Sequence, residues 1–118
     1  MIKNKGFTLI ELMAGVVILL VVISGSFLTF LHLMFLGDST RNLMIGVNDA
    51  QYVLEQIKSE PYTSISSYSA PNLKNIGPSE SITLNRNVGA NLATITVNVN
   101  WQEKNQAKNY SLSTCIAK

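Results

Sequence analysis

The hydrophobic and polar positions divide the chain into a long apolar run and a region of shorter periodic patterns. From Phe7 to Leu36 the run carries one formal charge, that of Glu11. A helix that is hydrophobic on all sides lies in a membrane or in the centre of an assembly. At 1.5 Å per residue this run would span about 45 Å, against about 30 Å for a bilayer's hydrocarbon core. The pattern therefore predicts a transmembrane helix, with residues Leu12 to Leu36 in the membrane and some tilt or protrusion.

A second helical pattern follows a short polar stretch at residues 37–40. Apolar side chains recur at spacings of four and three and form one stripe on a polar helix: Leu43, Val47, Ala50, Leu54 and Ile57. Pro61 should end this helix, because the residue before proline avoids the α region. We therefore predict one helix from Phe7 to about Ser59, membrane-bound in its first half and amphipathic over residues 38–59.

The remaining residues predict a loop followed by a small antiparallel sheet. Residues 60–80 show neither helical nor strand periodicity and are interpreted as a connecting loop. Alternation of period two then indicates three strands within residues 81–117, the first weakened by Arg86 on its apolar face. A polar turn at residues 102–108 joins the last two strands. The prediction is an α+β fold in which the amphipathic stripe covers the sheet.

The net charge of +2 comes entirely from the N-terminal leader, where Lys3 and Lys5 precede the apolar run. From Phe7 onward the acidic and basic side chains cancel. Lysines placed there hold an N-terminus in the cytoplasm, so the head, residues 37–118, should be periplasmic or on the cell surface. The basic balance therefore indicates membrane topology and does not indicate a nucleic-acid surface.

Glu11 is expensive in a membrane segment. A carboxylate there costs roughly 2.5 kcal/mol or more even on the milder insertion scales. An ordinary membrane anchor has no use for it, so Glu11 should have a partner and a purpose.

The segment Gly6-Phe7-Thr8-Leu9-Ile10-Glu11-Leu12 resembles the cleavage and methylation motif of type IV prepilins and of the pseudopilins of type II secretion. The expected fold is similar to the pilin fold. The resemblance implies a leader of residues 1–6, a filament-core helix of residues 7–36, and cleavage between Gly6 and Phe7. A prepilin peptidase would make that cut and methylate the new amine of Phe7. Glu11 would pair with the N-terminal amine of an adjacent subunit during assembly.

The same resemblance implies partners and a location. The partners are the prepilin peptidase/methyltransferase, other pilin or pseudopilin subunits, an inner-membrane assembly platform and the lipid bilayer. The tail, residues 97–114, is similar to the minor pilins of the PilV group and the pseudopilins of the GspI group. The family serves twitching pili, protein secretion and DNA uptake, so nucleic acid stays open as a partner in the last case. Leu28 stands where many members carry a proline, which makes a kinked helix less expected.

Two other interpretations account for parts of the chain. A secretory signal peptide could be cut after Ser26, although the apolar run continues for ten residues beyond that point. A single-pass anchor with an exported binding domain explains the length of the run but leaves Gly6, Phe7 and Glu11 without a role.

The remaining candidate chemistry is sparse. Cys115 is the only cysteine and is expected to be buried, since it lies in an alternating apolar stretch. Asp49, Glu55 and Lys58 are expected on a solvated helix face. His32 has no second ligand beside it, so we predict no metal site, no cofactor and no catalysis.

Overall fold

The computed structural model describes residues 6–118, and Lys3 and Lys5 of the predicted leader lie outside the described residues. The elements are helix α1 (Leu9–Ser59), a 3-10 turn (Tyr62–Ser64) and strands β1 (Ser81–Val88), β2 (Leu92–Glu103) and β3 (Gln106–Ala117). The α+β fold is confirmed: one long apolar N-terminal helix and a three-stranded antiparallel sheet.

Helix α1 takes part in two compact units, one ending at Asp38 and the other comprising Ser39–Lys118. In the first unit the large apolar side chains are exposed; for example, Leu9 is 79% exposed and Leu28 is 68% exposed. No part of the apolar window that could cross a membrane is buried within the chain. The predicted membrane segment therefore has no intramolecular core of its own.

The second unit is built on a sheet with strand order β1-β2-β3. The pairs Ile82↔Val99 and Val97↔Leu112 fix the two antiparallel registers. The central strand supplies one side of the core with alternate residues: Ala93, Ile95, Val97, Val99 and Trp101. Helix α1 supplies the other side with four buried apolar residues: Ala50, Val53, Leu54 and Ile57. The predicted cover of the sheet by the second half of the helix is confirmed.

The predicted stripe is wrong at its N-terminal end. Leu43 is 44% exposed and Val47 is only partly buried, whereas Gly46 and Val53 are buried. Trp101 is the last buried residue of β2, and its ring lies against Gly46. Leu43 comes almost one turn before that contact and so finds no strand residue to pack on.

The loop of residues 60–80 was expected to be featureless, but it contributes to the core. Ile65 is fully buried, and Tyr68, Leu73 and Ile76 pack against the core cluster. Arg86, which interrupts the apolar face of β1, donates from Nη1 to the carbonyl oxygens of Ile65 and Ser66. The inward-facing guanidinium therefore holds the loop on the edge strand.

The turn between β2 and β3 is shorter than the predicted residues 102–108. Pairing continues to Glu103↔Gln106, so only Lys104 and Asn105 form the turn. Both have positive φ values, 49° and 64°. This combination is typical of the two-residue turn whose twist matches that of the paired strands.

Two predictions of burial are also wrong. Asp49 is buried, at 6% exposure, whereas Glu55 and Lys58 are exposed as expected. Cys115 is exposed. On β3 the even-numbered residues face the core, so Cys115 lies on the opposite face, where its Sγ is 3.7 Å from Oγ1 of Thr94.

Candidate assembly site at the N-terminal end of the helix

The Gly6–Phe7 peptide bond lies outside the helix and is accessible. Residues 6–8 precede α1 and have no regular secondary structure. Gly6 is exposed, and a Cβ placed there would meet no atom within 4 Å. Phe7 is 80% exposed. A protease could therefore reach this bond without unwinding a helical turn.

Glu11 lies in the first turn of α1, directly after these residues. The carbonyl of Thr8 accepts the first helical hydrogen bonds, from the backbone N–H groups of Glu11 (3.0 Å) and Leu12 (3.1 Å). The helix start is thereby fixed at residues 8–9. A carboxylate at this end is favoured by the helix dipole and by the free N–H groups of the first turn.

Gly6, Phe7 and Glu11 lie together at the start of α1. They line a shallow depression with Thr8, and a second depression runs from Phe7 along Glu11, Gly15 and Leu19. Side chains four residues apart share one face of a helix, so Glu11 lies in an apolar strip. A Cβ at Gly15 would meet nothing within 4 Å, so a neighbouring chain could approach closely beside the carboxylate.

Three hydroxyl side chains of the apolar segment form hydrogen bonds within the helix. The hydroxyls of Ser24, Ser26 and Thr29 donate to the carbonyls four residues earlier, at 2.8, 2.9 and 3.0 Å. Such bonds allow hydroxyls to lie in lipid without unpaired donors. The helix is continuous through Gly25 and Leu28. Glu11 is therefore the one formally charged side chain that must find a partner outside its own segment.

Within residues 6–118 the site contains no group of side chains that would hold a metal ion. No three His, Cys, Asp or Glu side chains of this part of the chain form a group that could bind an ion. What the geometry offers is an exposed Gly6–Phe7 peptide bond, a carboxylate and an apolar helical surface. These features suit processing and association.

Comparison with known proteins agrees with this geometry. Residues 1–27 match the family model of the prokaryotic N-terminal methylation motif. No curated protein and no solved structure matches the chain. The N-terminal segment is therefore type IV pilin-like, and the long helix with its three-stranded sheet has an α+β pilin-like architecture. Proteins with this motif are structural, are processed by a prepilin peptidase and assemble with other pilin subunits.

Sequence reasoning missed one group of polar residues, which lies in the head. Asp49 and Glu80 are both buried, and their carboxyl groups interact. Asp49 is three residues after Gly46 and four before Val53, which places it on the buried face of α1. This spacing along the helix was the signal in the sequence that could have shown the burial of Asp49. Glu80 gave none, because only the tertiary fold brings the loop to the helix.

Proposed function

We propose that this protein is a structural subunit of a type IV pilus or a type II secretion pseudopilus, present in low copy. The observation that carries the proposal is the exposed Gly6–Phe7 bond followed, one turn into an uncovered apolar helix, by the single carboxylate of Glu11. Each part serves a separate step: cleavage, methylation and lateral association. An enzyme would need none of them.

Processing is the first step. The precursor sits in the inner membrane as a single-pass protein with its leader in the cytoplasm, as Lys3 and Lys5 favour. The prepilin peptidase cuts after Gly6 and methylates the amine of Phe7. A residue without a side chain before the scissile bond suits a narrow protease site, and the exposure of Gly6 supports this step.

Assembly is the second step. The new amine of Phe7 is a cation, and Glu11 is the fifth residue of the mature chain. In a bundle of apolar helices, either charge left unpaired is strongly unfavourable, whereas the pair removes most of that penalty. Pairing of Glu11 with the amine of an adjacent subunit therefore sets the axial register between subunits. The exposed apolar side chains between Leu12 and Leu36 supply the contact area.

A minor subunit is the role that the head favours. Many major pilins close a C-terminal loop with a cysteine pair, and this chain has a single cysteine. The head would then lie in the periplasm or on the surface of a filament, to which the helix attaches it.

The decisive experiment is intact-mass measurement with N-terminal peptide mapping of the protein from its native membrane. A chain that begins with N-methylated Phe7 supports the prepilin pathway. A chain that begins at Met1 would indicate a simple anchor carrying a binding domain, and one that begins after Ser26 a secreted domain. Either of the last two results would refute both the filament mechanism and the role of Glu11.

A further inference from the structure

The head buries two carboxyl groups side by side. Asp49 on α1 and Glu80, just before β1, are 6% and 4% exposed. One oxygen of each has a donor: Nδ2 of Asn75 donates to Oδ1 of Asp49 at 2.8 Å, and the N–H of Ile76 donates to Oε2 of Glu80 at 2.9 Å. Both donors belong to the same short stretch of loop.

The other oxygen of each carboxyl, Oδ2 of Asp49 and Oε1 of Glu80, is buried without a hydrogen-bond donor. Buried polar atoms are seldom left unpaired, because each lost hydrogen bond costs on the order of 1–3 kcal/mol. Two ionised carboxylates have only acceptors to offer each other. A single proton between them would give both oxygens a partner.

The surroundings of Glu80 favour its protonated form. Burial is the largest cause that raises the pKa of Glu80, and the hydrogen bond and negative charge of Asp49 raise it further. The backbone N–H groups of Ile76 and Asn75 oppose them in part. Ser81 pairs with Asn100 on β2, so the β2 residue beside Glu80 is Trp101. Trp101 is uncharged. Within residues 6–118, the charged group that acts on Glu80 is therefore Asp49, from the helix.

We propose that Asp49 and Glu80 share one proton, with Oε1–H of Glu80 donating to Oδ2 of Asp49, and that this pair is a pH-sensitive clamp. The clamp fastens residues 75–80 to helix α1. These residues carry Ile76, whose side chain packs against the core, and they lead directly into β1. Loss of the proton places two like charges in a buried site and releases this segment.

A divalent cation is a poorer occupant of the same place. Calcium takes six to eight oxygen ligands, and magnesium needs a near-ideal octahedron. The pair has two free oxygens, and no third metal-ligating side chain joins them in the part of the chain that the structure describes. A proton needs only the two oxygens that are present.

The sign of the pH dependence follows from linkage. Because the folded pKa of Glu80 lies above its unfolded value, the pair's contribution to stability is complete below the unfolded pKa. It is lost as the pH rises through the folded pKa. The head should therefore be more stable in mild acid than in mild alkali.

The test is thermal unfolding of the full chain in a nonionic detergent between about pH 5 and about pH 9. Trp101 is the only tryptophan and belongs to the core of the head, so its fluorescence reports the unfolding of that unit. We expect the melting temperature to fall by on the order of 5 °C across this range. In Glu80→Gln the fall should be absent, because a neutral amide donates to Asp49 at every pH.

Two controls and a second variant complete the experiment. Glu55→Gln changes an exposed carboxyl on the same helix and should keep the wild-type pH dependence. Glu11→Gln should keep it too, which separates the clamp from the assembly site. Asp49→Asn removes the like charge but leaves Glu80 buried, so it should weaken the dependence, which provides a test if Glu80→Gln does not fold.

Three results would overturn the proposal. The first is a wild-type melting temperature that is constant or rises between mild acid and mild alkali. The second is a pH dependence that persists in Glu80→Gln or, if that variant does not fold, one that is undiminished in Asp49→Asn. The third is a wild-type protein that is stabilised by added calcium and insensitive to pH, which would assign the pair to a metal ion.

Discussion

At the scale of single residues, the proposed mechanism makes the association of the helix depend on Glu11. We predict that Glu11→Val is still cleaved and inserted in the membrane but is absent from sheared filaments. Without the carboxylate, the amine of the adjacent subunit lies unpaired in an apolar bundle. Breaking a buried ion pair from one side costs about 3–5 kcal/mol. Intact mass would report cleavage, and immunoblots of sheared surface fractions would report incorporation.

The matched control for Glu11→Val is Glu55→Gln, which removes a carboxylate from the exposed surface of the head. It should be cleaved and incorporated like the wild type. Normal incorporation of Glu11→Val would contradict the pairing mechanism. Failure of both variants would point to the head's charge, not to the N-terminal amine, as the determinant.

Gly46 is the second residue with a measurable role, because it is where α1 meets Trp101. A Cβ at this position would lie 3.2 Å from Cζ3 of Trp101 and 3.5 Å from Cδ1 of Ile76. We predict that Gly46→Leu destabilises the head by about 1–3 kcal/mol through overpacking. Urea unfolding followed by Trp101 fluorescence measures this change. Gly37→Leu, where a Cβ meets nothing within 4 Å, should cost no stability; equal effects at the two glycines would refute the packing explanation.

At the scale of elements, Arg86 connects the edge strand to the loop. We predict that Arg86→Met, which keeps an apolar stem and removes the donors, lowers the free energy of unfolding by about 1–3 kcal/mol. The reason is that the carbonyls of Ile65 and Ser66 lose the guanidinium. Urea unfolding would measure the loss. The control is Asn85→Ala, one position away on the exposed face of β1. An equal loss of stability in this variant would show that any substitution on β1 destabilises the head, and would contradict the role of Arg86.

The elements that sequence analysis predicted are those with a strong local period. Helix α1 follows from an uninterrupted apolar run and a stripe, and β2 from the alternation that ends at Trp101. The failures depend on long-range contacts or on single dihedral angles. Ile65 is buried in a core that helix and sheet form together, and Arg86 on β1 binds its carbonyl. The two-residue turn depends on positive φ values at Lys104 and Asn105.

The candidate site divides in the same way. The motif that contains Gly6, Phe7 and Glu11 could be found from the sequence because its residues are consecutive or lie within one helical turn. Asp49 was misassigned because its burial depends on the partner that the fold brings to it, Glu80. Cys115 could have been assigned correctly from strand parity alone, since Leu112 and Ile116 already defined the inward-facing positions.

At the scale of the whole molecule, the two units solve different physical problems. The head, from Ser39 onward, closes its own apolar core between helix and sheet. The unit that ends at Asp38 leaves its apolar side chains exposed, so it needs lipid or other helices. These are the two environments that a pilin-like subunit exchanges on assembly. In the proposed mechanism, the exposed helix and the processed N-terminus act together in that exchange.

The orientation of the whole chain can be read from its single cysteine. Cys115 is exposed on the head's outer sheet face, so a membrane-impermeant maleimide should label it in spheroplasts without permeabilisation if the head is periplasmic. Cys115→Ser should not be labelled. Lys3→Cys in that background should react only after permeabilisation if, as proposed, the leader is cytoplasmic. The measurement uses cells that lack the peptidase, so that the leader stays attached. Labelling of Lys3→Cys in sealed spheroplasts, together with no labelling of Cys115 in the wild type, would show the opposite topology. The head would then be cytoplasmic, out of reach of any filament outside the membrane.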